Sequence, residues 1–85
     1  MIDVKQATAA AMKYFKDVTD ESERWYDLRL EEVEQSEDEK YWLITLGFSA
    51  SDYLSPAPFS PDRRYKTFKV DATSGKVLSM KMRQV

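Results

Sequence analysis

The sequence predicts an α+β fold in which one N-terminal helix packs on a four-stranded antiparallel meander sheet. Two observations support this prediction. Residues 3–18 repeat apolar side chains with the helical period, and four later segments have the patterns of strands joined to their sequence neighbours. The length of 85 residues leaves room for one domain, predicted to span residues 1–85.

The helix is predicted to run from Asp3 to Val18. Asp3 followed by Gln6 is a capping-box-like start, and the alanines give the segment a high helix propensity. Alanine-rich amphipathic helices occur on membrane surfaces and in protein cores, and the small residues together with Phe15 favour the core. The apolar face consists of Val4, Ala7, Ala11, Tyr14, Phe15 and Val18.

The first two strands differ in their patterns. In the first, Tyr26, Leu28 and Leu30 alternate with charged residues, which indicates a half-buried strand. Residues 31–39 follow with six acidic side chains, predicted to form a solvated hairpin tip. The second strand, Lys40–Ser49, is apolar on both faces, so it belongs in the middle of a sheet or beneath a partner. Its helix-facing residues are predicted to be Trp42, Ile44, Leu46 and Phe48.

The second half of the chain contains a long loop and a hairpin. Ala50–Arg64 is rich in Ser, Pro and Asp, and its three prolines predict a loop that continues neither strand. Tyr65–Val70 and Val77–Arg83 alternate as strands. Between them, Asp71–Lys76 is predicted to be a turn in which Gly75 adopts a positive φ.

The last hairpin, from Tyr65 through Val-Asp-Ala-Thr-Ser-Gly-Lys to Val77 and Leu78, resembles the final hairpin of PepSY-type domains. The alanine-rich helix and the Tyr-Trp-Leu-Ile strand are also similar to that family. The resemblance implies a cystatin-like helix on an antiparallel sheet, and a binding module often linked to peptidase propeptides or envelope proteins. The length of loop 50–64 departs from the family pattern.

The composition argues against catalysis. The chain has no Cys and no His, which removes zinc-finger spacings and Cys or His nucleophile and base schemes, and no cofactor is predicted. The acids of residues 31–39 lack the spacing and the glycine of a calcium loop, and paired carboxylates for glycoside hydrolysis would need a cleft. Gly47 and Gly75 stand alone, so no phosphate loop is present. We therefore predict that the protein is not an enzyme.

Charge is divided unevenly along the chain. Asp17–Glu39 contains eleven acids and two bases, whereas Pro61–Val85 contains seven bases and two acids. Basic strands with aromatic residues such as Tyr65 and Phe68 occur in single-strand nucleic-acid binders, but a net charge of −2 makes nucleic acid an improbable partner. Complementary acidic and basic strands, within one sheet or between two copies, are the favoured interpretation.

The sheet face away from the helix is the predicted interaction surface. Trp25, Tyr41, Leu43, Tyr65 and Val77 are expected there, and an exposed apolar patch on a small protein usually marks an interface. Alternatively, Tyr53, Leu54 and Phe59 of the long loop fold back over this face. These eight residues are the predicted partner-binding set.

The leading functional prediction is a non-enzymatic protein-binding module that acts through this open face or a sheet edge and self-associates. One alternative is an inhibitor or immunity-type protein that inserts loop 50–64 into a target, and another is a small-ligand carrier with a pocket between helix and sheet. The sequence has neither a membrane span nor a visible signal peptide, which predicts a cytoplasmic location without excluding export.

Overall fold

The computed structural model describes residues 1–19, 25–50 and 62–83. Within these residues it contains one helix, α1 (Val4–Val18), and four strands, β1 (Trp25–Gln35), β2 (Tyr41–Ala50), β3 (Asp62–Asp71) and β4 (Val77–Arg83). The strands form one sheet in the order β1-β2-β3-β4, and each neighbouring pair is antiparallel. The predicted α+β meander is confirmed.

Helix α1 begins at a complete capping box. The Asp3 carboxylate accepts a hydrogen bond from the backbone N–H of Gln6 at 2.8 Å, and the Gln6 side chain accepts one from the N–H of Asp3 at 3.0 Å. These two bonds satisfy backbone donors that the first helical turn leaves unpaired. The predicted start of the helix is therefore confirmed at atomic detail.

The helix covers one face of the sheet, which we call the helix side; the opposite face is the back face. Small residues at Ala7 and Ala11 bring α1 close to the strands, and Phe15 fills the space near its C-terminal end. The strand residues predicted to face the helix do so. The buried core consists of Ala7, Ala11, Phe15, Ile44, Leu46, Phe48, Phe68 and Val70.

Two irregularities in β1 change which residues face the core. The register against β2 shifts between Tyr26 and Arg29 and again between Leu30 and Glu32, and Asp27 has a φ of 56°. An extra residue in a strand reverses the alternation beyond it. Trp25 therefore packs on the helix side, its ring 4.9 Å from that of Phe15, and not on the back face as predicted.

A similar shift corrects the prediction for Val77. The pairing of β3 with β4 is irregular between Lys69 and Val70, so that Val77 lies opposite the buried Val70. Val77 consequently packs against the core on the helix side rather than lining the back face.

Three predicted boundaries were also wrong. Strand β1 continues to Gln35, so Glu31, Glu32 and Glu34 belong to a strand, and the hairpin tip begins only at Ser36. Residues 50 and 62–64 of the predicted loop belong to strands, because Ala50 ends β2 and pairs with Asp62 at the start of β3. Polar residues without a strand pattern can therefore belong to a strand, because their backbone pairs with a neighbouring strand.

The β3–β4 turn confirms the predicted role of Gly75, whose φ is 77°. The Asp71 carboxylate accepts hydrogen bonds from the N–H groups of Thr73 at 2.7 Å and Ser74 at 2.9 Å. The N–H of Gly75 donates to the carbonyl of Asp71 at 2.8 Å and closes the turn.

The hydrogen bonds of Asp71 in this turn are expected to make the stability of the fold sensitive to acid. Hydrogen bonds from the amides of Ser74 and Thr73 lower the pKa of Asp71 below its ordinary value of about 3.9. A carboxyl with a lowered folded-state pKa stabilises the fold fully above that ordinary value. This contribution is lost as the pH falls through the folded-state pKa. Between pH 7 and about pH 3, we expect the Asp71→Asn variant to lose less stability than the parent chain. Urea unfolding at each pH measures the free energy of unfolding.

Glu37→Gln is the matched control, because Glu37 is an exposed carboxylate in the other hairpin turn and makes no hydrogen bond within the described part of the chain. An equal loss of stability at low pH in the parent chain and in the Asp71→Asn variant would contradict the prediction.

Candidate functional site: the back face of the sheet

The back face of the sheet is four strands wide. Within residues 1–19, 25–50 and 62–83, no other element packs on it, since α1 lies on the helix side. The register places alternate residues of the two central strands here, flanked by charged residues of β1 and β4. Its members include Tyr41, Leu43, Thr45, Gly47, Ser49, Arg63, Tyr65, Thr67, Lys69, Arg29, Glu31, Glu32, Glu34, Ser79, Lys81 and Arg83.

Three of the predicted partner-binding residues share this face. Tyr41 and Leu43 lie near the hairpin end, and Tyr65 lies further along, paired with Gly47 of β2; all three are half-buried. Trp25 and Val77 are on the other side of the sheet, as described above. The remaining three, Tyr53, Leu54 and Phe59, fall outside the described residues.

Arg63 is the centre of a polar network that crosses the sheet at one end of the back face. Its guanidinium donates to the Glu31 carboxylate at 2.6 Å, to the backbone carbonyl of Asp27 at 2.8 Å and to the Ser49 hydroxyl at 3.3 Å. Hydrogen bonding to Glu31 is the main reason that the pKa of Arg63 is raised. The guanidinium of this β3 residue is thus held in one orientation by acceptors on two other strands, β1 and β2.

Gly47 makes this network possible. A Cβ atom at position 47 would lie 2.7 Å from Cγ and from Oε1 of Glu31, a distance that real side chains do not tolerate. The absence of a side chain at Gly47 lets Glu31 lie flat across β2 and reach Arg63 on β3. The glycine is therefore required here for a close approach and not for an unusual backbone angle.

A second network crosses the middle of the back face. Arg83 of β4 reaches over the two central strands, pairs with Glu32 of β1 and lies 3.4 Å from the hydroxyl of Thr45. The hydroxyls of Thr45 and Thr67 are 3.0 Å apart beneath it. An open depression of about 200 Å³ lies at this point, lined by Glu32, Glu34, Leu43, Thr45, Thr67 and Arg83.

The tyrosine at the hairpin end also has a cationic neighbour. The ammonium group of Lys69 lies 4.0 Å from the centre of the Tyr41 ring, which is cation–π geometry. Lys69 therefore covers an aromatic surface with its own side chain. Near the start of β3, Tyr65 is paired with Gly47 of β2 on one side and with Arg83 of β4 on the other.

The ion pairs confirm that the acidic and basic strands complement one another within one sheet. Glu31 and Glu32 both lie on the back face because the second irregularity of β1 places consecutive side chains on the same side. Sequence reasoning placed these glutamates in a solvated tip and missed their partners. The uneven division of charge along the chain was the signal that pointed to the pairing.

The side chains described on this face are of the kinds that recognise a partner. Within the described ranges, no group of three or more acidic side chains is arranged to hold a metal ion, and every buried side-chain nitrogen or oxygen has a hydrogen-bond partner. Ion pairs, hydroxyls and half-buried tyrosines instead form a polar surface with an apolar component. Helix α1, the one helix of the described residues, is not long and apolar enough to cross a membrane.

The fold and this surface define a small α+β domain in which no described element covers one face of the sheet. The family model described as "Peptidase propeptide and YPEB domain" (PepSY) matches residues 1–81. The chain therefore belongs to the PepSY family, as its last hairpin led us to expect. No match was found among curated proteins or among solved structures.

Membership in this family narrows the class of function. PepSY domains are protein-interacting propeptide modules and are generally non-catalytic. The family assignment therefore suggests a propeptide-like or regulatory module.

Proposed function

We propose that this PepSY domain is a non-enzymatic regulatory module that binds a partner protein through the back face of its sheet. The observation that carries the proposal is the position of Tyr41, Leu43 and Tyr65 on a sheet face that no described element covers. Tyrosine and apolar residues at the centre of a surface, with charged residues around them, are typical of protein interfaces.

The cross-sheet ion pairs support the same function. Arg63 and Arg83 are each held by carboxylates of β1, so the side chains of this surface are ordered before a partner arrives. A surface that is already ordered loses less conformational entropy on binding. The family description, which names peptidase propeptides, agrees with a module that acts on another polypeptide.

A crosslinking experiment identifies the partner and tests the surface. A photoreactive amino acid at position 43 is expected to capture a protein in cells of the source organism, and the same group at Lys13 is not. Lys13 is the control site because it is exposed on α1, on the other side of the sheet.

The purified partner then provides the quantitative test. Leu43→Glu is expected to weaken its binding by about tenfold or more, because a charge would replace a half-buried apolar contact. Lys13→Glu is expected to leave the affinity unchanged. Calorimetric titration measures both, and unchanged binding by a folded Leu43→Glu variant would refute the proposed surface.

Insertion of the loop into a target and the carriage of a small ligand stay predictions. Residues 51–61 of the loop lie outside the described residues. The depression described above lies on the back face and not between helix and sheet, where the carrier hypothesis expects its pocket.

A further inference from the structure

Helix α1 is too narrow to cover the whole helix side of the sheet. Four strands spaced about 4.8 Å apart are about 19 Å wide, whereas a helix with its side chains is about 10 Å across. The helix packs mainly on β2, β3 and β4. Above β1 there is therefore room for a second helix beside α1.

The oblique path of α1 determines where this room lies. Before the first turn of the helix, the N–H of Ile2 donates to the carbonyl of Ala72, in the β3–β4 turn, at 2.7 Å. Near the C-terminal end, the ring of Phe15 contacts that of Trp25 at the start of β1. The helix thus runs from the β3–β4 side towards β1, and the second half of β1 lies beside its N-terminal half.

Two apolar side chains in the second half of β1 are exposed. Leu30 and Val33 face the helix side, because their cross-strand partners on β2 belong to the buried core. Those partners, Leu46 and Ile44, are fully buried, whereas the exposed fraction is 43% at Leu30 and 36% at Val33. Exposed apolar side chains next to one another indicate a binding surface.

The flank of α1 that faces these side chains is basic. Phe15 lies towards β1 and Tyr14 contacts Phe68 of β3, so the Phe15 side of the helix faces β1. Both lysines on this flank are exposed. Asp17 lies on the opposite flank. At 100° per residue, the residues that follow Phe15 around the helix on the β1 side are Thr8, Met12, Lys5 and Lys16.

We call the space between this flank and the second half of β1 the β1 groove. Apolar and small polar side chains line it, and Lys5 and Lys16 border it on the α1 side. The acidic side chains of β1 do not border the groove, since they lie on the back face with Arg63 and Arg83 or beside Leu43. The lining residues are Thr8, Met12, Leu30 and Val33.

A second copy of this chain does not supply a helix that fits the groove. The apolar stripe of α1 is used in its own core, and its outer surface carries Lys5, Ala9, Lys13 and Lys16. The self-association predicted from the sequence therefore stays a prediction for the back face or a sheet edge. The occupant of the β1 groove has to be a helix whose apolar stripe is free.

We infer that the β1 groove binds an amphipathic helix of a partner protein, with its apolar stripe on Leu30 and Val33 and an acidic flank beside Lys5 and Lys16. Amphipathic helices are commonly recognised in apolar grooves of this kind. The two lysines are eleven residues apart, which is about 16 Å along α1, so a helix of about three turns passes both. The inference goes beyond the proposed function, because the β1 groove and the back face are on opposite sides of the sheet.

Two synthetic helical peptides test the inference on the full chain. Both carry a leucine stripe with the spacing i, i+3, i+4, i+7, and one flank is glutamate in the first peptide and lysine in the second. We expect the acidic peptide to bind at least about tenfold more tightly and to shift the amide NMR signals of Leu30 and Val33. The net charge of −2 favours the basic peptide in any non-specific contact, so this preference is informative.

Charge reversal on α1 provides the matched variants. The double variant Lys5→Glu, Lys16→Glu is expected to reverse the preference, so that the basic peptide binds more tightly. Lys13→Glu, on the outer surface of the same helix, is the control and is expected to keep the preference for the acidic peptide. Leu30→Glu is expected to weaken the acidic peptide about tenfold or more, with the fold checked by circular dichroism.

Three results would overturn the inference. These are the absence of binding by either peptide at about 1 mM, a preference that survives the double lysine variant, and unchanged binding by folded Leu30→Glu. The lysine variants change exposed side chains, so they decide the question even where Leu30→Glu does not fold. Leu43→Glu on the back face is expected to leave peptide binding unchanged, which keeps a failure of the back face distinct from a failure of the β1 groove.

Discussion

Phe15→Ala is expected to destabilise the fold by about 3–5 kcal/mol, the usual cost of removing a buried phenylalanine side chain. The Phe15 side chain is fully buried, and its ring lies 4.9 Å from those of Trp25 and Phe48. It is the largest of the three buried residues through which α1 contacts the sheet, the other two being alanines. A cavity at this position would leave the helix attached mainly by small side chains.

Urea unfolding followed by circular dichroism measures the effect. A domain of this size has a total stability of roughly 5–10 kcal/mol, so the variant is expected to be close to unfolding at room temperature. Lys16→Ala, at the exposed neighbouring position, is the control and is expected to change stability by less than about 0.5 kcal/mol. A loss below about 1 kcal/mol for Phe15→Ala would mean that the helix is held by other contacts.

Arg63→Ala is expected to cost about 1–3 kcal/mol, because hydrogen bonds to charged groups contribute more than neutral ones. The side chain is 23% exposed, so solvent screens part of its attraction to Glu31, and the lower half of this range is the expected result. The variant also leaves the carbonyl of Asp27 and the hydroxyl of Ser49 without this donor.

A double-mutant cycle isolates the cross-sheet contact. Arg63→Ala and Glu31→Ala together are expected to cost less than the sum of the single changes, with a coupling energy of about 0.5–1.5 kcal/mol. Lys76→Ala, which removes an exposed charge from the β3–β4 turn, is the control and is expected to be nearly neutral. Simple additivity of the two changes would show that Arg63 and Glu31 do not stabilise one another.

Much of the fold was predictable because it depends on local patterns. The capping box at Asp3 and Gln6 and the positive φ at Gly75 involve residues close in sequence, and both were predicted. The same is true of β4, whose bounds match the prediction. The last hairpin also carried the resemblance that the family comparison then confirmed.

The candidate site was predictable only in part. Tyr41 and Leu43 are on the expected face because β2 alternates regularly throughout its length. Trp25 and Val77 were predicted on the wrong face because a register shift lies close to each of them. No residue pattern in the sequence indicates these shifts. The partners of Glu31 and Glu32 were likewise hidden, since Arg63 is 32 residues and Arg83 is 51 residues away.

The sequence by itself determined the number, order and type of the elements, and the family. Helical and strand periodicity, capping and turn geometry act over a few residues, so the order of residues is sufficient to specify them. The tertiary structure alone decided which side chains share the back face. Strand register and bulges depend on the pairing of distant segments, and one extra residue in β1 is enough to bring two neighbouring glutamates onto the same side of the sheet.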